Sequence, residues 1–256
     1  MDEHRERVDV IVAEVQYFYD RKTPFRIYHG TTHSTHRLAF PRDSIIDTSH
    51  LTHVVRVDRF RKNALVEPNV SMEQLVDLTL QSGLVPQLTM DFPGLTCGGG
   101  FAGNGHASNS FKYGNFEKTV DWIEVVLGNG QRVAAFSTEN PDLFEGAAGT
   151  LGTLGVITLL EVQLVKAHKF VQLTYLPVKS VTEAVQELEG ATRAATIDYV
   201  DGILFSPENG VVMTGQMTDA VKEGTETVQF PLTHGSTNTP NGPLPTLVGP
   251  KQSQFH

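Results

Sequence analysis

Half of the twelve residues from Gly94 to Gly105, in the stretch "PGLTCGGGFAGNGHASNS", are glycine: Gly94, Gly98, Gly99, Gly100, Gly103 and Gly105. Glycine weakens helix and strand interiors, so this density argues for a loop whose bare backbone is the working surface. A main chain without side chains approaches a pyrophosphate or a flat ring closely. Gly98, Gly100 and Gly103 match G-x-G-x-x-G literally. A Rossmann fingerprint needs a strand before the motif and a helix after it, whereas Pro93-Gly94 interrupts the first and Asn104-Gly105 spoils the second. Two further stretches share this character. "IYHGTTHST" sets Gly30 among Thr31, Thr32, Ser34 and Thr35, a composition suited to an anion-binding nest or to an ordinary polar turn. Gly146, Gly149, Gly152 and Gly155 stand directly before an apolar run. Convergence of all three on one extended, diphosphate-bridged ligand is the expectation, since backbone donors drawn together need partners.

Composition narrows the classes. Hydrophobic residues at 39% and charged residues at 19% supply a real core and exclude wholesale disorder. Twenty Lys and Arg against 29 Asp and Glu leave a net charge of -9, without the basic field that carries nonspecific nucleic-acid binding. The one cysteine, Cys97, permits neither an internal disulfide nor a cysteine-rich zinc site, and fits a reducing compartment. "MDEHRERVDVIVAEV" has no uninterrupted apolar core of a signal peptide. The apolar stretch 154–165 is too short for a bilayer and is broken by Glu161. The protein is expected to be intracellular, cytoplasmic or peripheral at an endomembrane.

Along the sequence, Val8, Ile11, Val12, Val15, Phe18 and Tyr19 recur at helical steps and predict an amphipathic helix ending before Pro24. Short strands follow at 25–28, 44–47, 54–58 and 64–68. "SMEQLVDLTLQSG" predicts a helix with a Ser71/Gln74 capping box, a buried face of Leu75, Val76 and Leu78, and Gly83 closing it. "TVDWIEVVLGNGQRVAAF" reads as a hairpin with a primed turn at Gly128, Asn129 and Gly130. A short helix then feeds a buried strand at 156–165. A new unit is expected near Lys169: a strand, a helix over 181–195, and strands "YVDGILFS" and "GVVMTGQM" about a turn at Glu208, Asn209 and Gly210. The Pro/Gly-rich stretch 221–256 has no hydrophobic period and is expected to be disordered. The fold class is α+β.

Other chemistries lack their patterns. His29, His33, His36, His50 and His53 match no helix-borne zinc spacing and have no supporting carboxylate, so no metal is expected. No G-x-S-x-G elbow is present. Cys97 reads as a small residue wedged among glycines.

Taken in order, "FRIYHGTTHST", "FPGLTCGGGFAGNGHASNSFKYG", "VDWIEVVLGNG" and "NPDLFEGAAGTLGTLGVITLLEVQLV" resemble the vanillyl-alcohol-oxidase, or PCMH-type, FAD-binding family. Within it the likeness is to the Δ24-sterol reductases. It continues through "KFVQLTYLPV" and "DYVDGILFSPENGVVMTGQMTD". After the helix read at 1–20, the resemblance, which covers roughly residues 25–220, implies a two-subdomain FAD-binding domain at 21–168 and the start of an incomplete α+β cap at 169–220. It implies that FAD is gripped by His29, Gly30, Thr31, Thr32, His33, Ser34 and Thr35. The second loop would contribute Thr96, Gly98, Gly99, Gly100, Ala102, Gly103, Gly105, His106, Ser108 and Ser110. Gly155, Val156 and Ile157 would line the adenine side. Tyr113, in the Lys-Tyr-Gly turn with Gly114, is the candidate general acid beside the flavin. The implied reaction uses NADPH to reduce FAD, then passes hydride from flavin N5 to an isolated carbon–carbon double bond of a hydrophobic, sterol-like substrate. A flavin-dependent alcohol or sugar oxidase or dehydrogenase, which would favour FAD linked to His33, and a nonenzymatic FAD-binding remnant with a truncated cap are the alternatives.

Overall fold

The computed structural model describes residues 1–30, 42–221, 226–228 and 246–249. The protein forms two compact units. The first comprises Met1–Ala107 and Tyr113–Val165; the second comprises Ser108–Lys112 and the described residues from Lys166 onward.

The first unit opens with helix α1, Asp2–Arg21, whose acidic Asp2 and Glu3 lie in the first turn, where they favour the helix dipole. Val8, Ile11, Val15 and Phe18 are buried as their spacing predicts, against Ile46, Leu51, Val126 and Val156. Tyr19 instead stays exposed, because adjacent helical positions lie about 100° apart and Phe18 already occupies the inner face. Lys22 ends the helix in the left-handed conformation, φ 54°. Truncating Ile11 to Ala is expected to cost about 2–5 kcal/mol of stability, checked by urea unfolding.

After α1 come β1 (Arg26–Tyr28), β2 (Ile45–Asp47), β3 (Val54–Asp58), β4 (Asn63–Val66), α2 (Met72–Leu80) and β5 (Leu84–Pro86). Then follow α3 (Cys97–Ala102), α4 (Ser110–Tyr113), β6 (Val120–Leu127), β7 (Arg132–Phe136), α5 (Pro141–Ala147) and β8 (Gly155–Lys166). β1 and β2 pair in parallel. The main sheet runs β3-β4-β8-β6-β7, with β5 added on β8. Strand alternation sends Val126 and Val156 toward α1. A bulge that leaves Thr158 unpaired between the Val125–Ile157 and Glu124–Leu159 pairs shifts the parity of β8, so Leu160 and Val162, with Ile123 of β6, enter a larger core with Leu75, Phe101 and Phe116.

Four details differ from the expectations. Ser71 caps α2 by accepting from the Gln74 N-H, but the Gln74 side chain donates to the Thr52 carbonyl, so the capping box is half made. On that helix Thr79 takes the fully buried place instead of Val76 or Leu78, its hydroxyl bonding back to the Leu75 carbonyl at 2.8 Å. The β6-β7 turn is not primed: of its residues only Gly130 has positive φ, at 79°, as in a type I turn closed by a glycine bulge. The glycine-dense segment contains the six-residue helix α3. Thr96 caps it by accepting from the Gly99 N-H at 3.1 Å. Its glycines let the helix press on the core, since a Cβ at Gly98 would lie 2.6 Å from Pro68 Cβ and one at Gly100 2.6 Å from Met90 Cε. That packing offsets the entropy glycine costs a helix.

In the second unit β9 (Phe170–Val178), α6 (Val181–Arg193), β10 (Tyr199–Ser206) and β11 (Asn209–Thr218) occur in the expected order. Ser180 caps α6, which packs Ala184 and Leu188 on Val178 and Val212. Asn209 pairs with Ser206, so the turn is Pro207-Glu208, not Glu208 to Gly210. Two short strands, β12 (Glu226–Val228) and β13 (Thr246–Gly249), fall in the stretch expected to be disordered. They complete a five-stranded sheet, β10-β11-β9-β13-β12. By pairing in parallel, Thr246 opposite Phe170, β13 covers the edge of β9 that would otherwise be left open.

Candidate functional site

A cleft of about 1170 Å³ opens in the first unit between the end of α1, the β1 strand, α3 and the loop entering β8. Ordinary small-molecule pockets hold about 300–1,000 Å³, so this one admits a ligand of dinucleotide size. Its walls include Phe18, Tyr19, Phe25 and Ile27 on one side, Pro68, Asn69, Thr96, Gly98, Gly99, Ala102 and Gly103 on another. Leu151 to Gly155, together with Ile157 and Gly128, complete it. Described parts of all three glycine-rich stretches therefore face one space.

Local structure explains how the backbone is laid bare. Gly99 and Gly103 are exposed on α3 and at its C-terminal cap, one turn apart. Gly152 holds a left-handed φ of 79°, which turns the 151–155 loop back toward β8. This loop is tied to α3 by the Leu151 N-H, which donates to the Ala102 carbonyl at 2.9 Å. The bare peptide at Gly99, Gly103 and Gly152 is a surface that fits an extended phosphate-bearing ligand.

Charge selects the kind of ligand. Lys22, Arg26 and His29 line the cleft, and no carboxylate does among the described residues. In a protein of net charge -9 this is a local reversal of sign, suited to an anion. Burial holds the His29 imidazole below its ordinary value, so His29 contributes a neutral ring at neutral pH.

The expected site residues are distributed unevenly. His29, Thr96, Gly98, Gly99, Ala102, Gly103, Gly155 and Ile157 line the cleft. Gly30 lies beside it at φ 70°, where a Cβ would meet Ser49 Cβ at 3.0 Å. Thr31, Thr32, His33, Ser34 and Thr35 lie outside the described residues. Val156 is turned to the α1 side of the sheet by strand parity, so it does not line the cleft. Gly100 and Gly105 pack on Met90 behind α3, serving the core rather than the ligand face. His106 is exposed and away from the cleft. Ser108 and Ser110 belong to the second unit, where the Ser108 carbonyl accepts from the Val200 N-H at 2.8 Å. Tyr113, the candidate acid, ends the single turn α4 and is not among the cleft-lining residues. Cys97 is fully buried and burial pushes its thiol well up, away from thiolate chemistry.

Residues 22–27 and the Pro68-Asn69 step were not expected in the site. The signal for the first was two cations flanking a strand start in an acidic sequence. For the second nothing in the local composition marks it.

Fold and cleft together define an α+β protein with a dinucleotide-sized, anion-favouring site. The chain belongs to the FAD binding domain family, whose model matches residues 6–135. It is 32% identical over 173 residues to the Delta(24)-sterol reductase of Rattus norvegicus, covering 68% of this chain and 34% of that protein. The Delta(24)-sterol reductase of Arabidopsis thaliana is 31% identical over 186 residues, covering 70% and 33%. Cytokinin dehydrogenase 9 of Oryza sativa is 34% identical over 137 residues, covering 52% and 26%. The chain spans about a third of the length of the curated relatives it matches. No helix among the described residues is long and apolar enough to cross a membrane, and no group of three metal-ligating side chains occurs among them.

Proposed function

We propose that the cleft binds FAD and that the chain is the flavin-binding part of an oxidoreductase of the Δ24-sterol reductase type. The observation that carries this reading is the cleft itself: bare peptide from the 98–103 and 152–155 stretches, joined by His29 of the third, with Lys22 and Arg26 and no carboxylate among its described walls. The cations favour the diphosphate, and the glycines let it approach the main chain. Phe18, Phe25, Ile27 and Leu154 supply apolar surface for ring systems and exclude water from them. When bound, FAD supplies hydride transfer, here from NADPH to the carbon–carbon double bond of a hydrophobic, sterol-like substrate. Tyr113 would then have to meet the flavin from outside the described cleft lining.

Purification followed by a visible spectrum tests the reading, with acid precipitation to separate bound from covalently linked flavin. Yellow protein that releases its colour to the supernatant is the expected result; a colourless protein that takes up no added FAD defeats the reading. Anaerobic bleaching by NADPH supports the reductase activity. The similarity to a cytokinin dehydrogenase keeps a second reading, an oxidase or dehydrogenase, for which flavin bleaching by substrate, reoxidation by oxygen or an added dye acceptor, and no response to NADPH are the signature. Reversing both cations, Lys22→Glu with Arg26→Glu, is expected to weaken FAD binding by at least about tenfold for each charge-assisted hydrogen bond removed, and to flatten its salt dependence. Titration of FAD into the variant at two salt concentrations checks this.

A further inference from the structure

Glu67 is fully buried and directly precedes Pro68 and Asn69 in the cleft wall. Its carboxylate accepts four hydrogen bonds. Oε1 takes them from His4 Nδ1 at 2.8 Å and Arg7 Nη2 at 2.9 Å; Oε2 takes them from the His53 amide at 2.8 Å and ring Nδ1 at 2.9 Å. The other nitrogen of His4, Nε2, lies 3.3 Å from Glu124 Oε1. A ring that donates from both nitrogens to two carboxylates is an imidazolium. The remaining groups around it are Arg132, 2.6 Å from Glu124 Oε2, and the Thr158 hydroxyl, which donates to Glu124 at 2.7 Å. Asp9 lies 3.9 Å beyond Arg132. Burying this many charges is costly, and their best-attested return is a fixed register between elements.

Here the register fixed is that of the cleft wall. The Pro68 carbonyl accepts from the Gly98 N-H at 2.7 Å, and the Val70 carbonyl accepts from the Cys97 N-H at 2.9 Å, so the segment after Glu67 seats the start of α3. The opposite end of α1 supplies Phe18 and Tyr19 to the same cleft. One helix thus touches the site directly at its C-terminal end and through Glu67 at its N-terminal end.

We propose that Glu67 is a positioning residue of the cleft, held in its binding geometry by the charged ring of His4, so that affinity for FAD falls when His4 loses its proton. This rests on the FAD reading above. Burial opposes charge on His4, but its hydrogen bonds to Glu124 and Glu67 outweigh that and hold its proton above the ordinary histidine range. The change therefore falls above the ordinary histidine range, whereas His29 in the cleft loses its proton below it.

The test titrates FAD into the full protein, following flavin fluorescence, at about pH 7 and about pH 9, for the unaltered protein, Glu67→Gln and His4→Gln. The expected result is binding by the unaltered protein that weakens by about tenfold between the two pH values. Glu67→Gln, with unchanged circular dichroism, loses about tenfold at the lower pH, and His4→Gln binds weakly at both with no pH step. Should Glu67→Gln not fold, His4→Gln alone decides. Variants that fold and keep the original affinity and pH step overturn the proposal. So does an affinity loss that leaves the pH step intact, since that marks a merely structural part. An unaltered protein that takes up no FAD at either pH defeats the FAD reading itself.

Discussion

Gly99→Leu is expected to yield a folded protein that no longer retains FAD, with affinity reduced at least about a hundredfold by a side chain projecting from the barest part of the cleft wall. Gly99 is exposed on α3 and lines the cleft. A Cβ there would lie 2.9 Å from Thr96 Oγ1, so the cost to the fold is chiefly a disturbed helix cap, about 1 kcal/mol. The visible spectrum of the purified variant and its thermal melt separate the two effects. Stoichiometric flavin in the variant would contradict the assignment of α3 to the ligand face.

The second large effect is in stability. Glu67→Leu removes the common acceptor of His4, Arg7 and His53, setting the buried His4 and the half-buried Arg7 against an apolar side chain and leaving His4 with Glu124 alone. Breaking a buried pair from one side costs about 3–5 kcal/mol. Urea unfolding at neutral pH measures it, and a loss under about 1 kcal/mol would show that the cluster is not a stabilising clasp. The pH dependence has a definite sign at both ends. Burial alone would raise the Glu67 carboxyl, but hydrogen bonds from His4, the His53 amide and ring, and Arg7 pull it down to about 2 from 4.5. A depressed carboxyl contributes stability above its unfolded value, lost as pH falls from about 4.5 toward 2. At about 1.4 kcal/mol for each tenfold change in proton affinity, the contribution is on the order of 3 kcal/mol. His4 is raised, so its contribution is present in full below about 6.5 and is lost as pH climbs through its higher folded value. Stability should therefore fall on both sides of a slightly acidic optimum, and Glu67→Leu should remove most of the acid limb.

Much of the sheet was legible because strand signals are local. Val54–Asp58, Phe170–Val178 and Tyr199–Ser206 coincide with runs chosen by composition alone. The helix at Cys97–Ala102 was not legible, since its stability comes from seating glycine on Pro68 and Met90, neighbours that no window of the sequence contains. For the site, the glycine stretches point to loops that line the cleft, and strand parity implies that Gly155 and Ile157 face opposite to Val156. The charged clasp was hidden for another reason. In "MDEHRERVDV" a histidine among six charged neighbours reads as solvated, and its two carboxylates arrive from positions 63 and 120 residues away. Long-range pairing of this kind leaves no periodic trace.

The closeness of Gly98 to Pro68 bears on how substitutions across this segment are to be interpreted. A methyl at 98 runs into proline backbone and side chain, whereas one at 99 meets only a hydroxyl beside open space. Neighbouring letters of a single motif then report on separate quantities: variants at the first position deplete the amount of protein that survives in the cell, and variants at the second empty it of ligand. Screens that score only loss of colour would merge the two, while a paired assay of abundance and occupancy would divide them between adjacent codons.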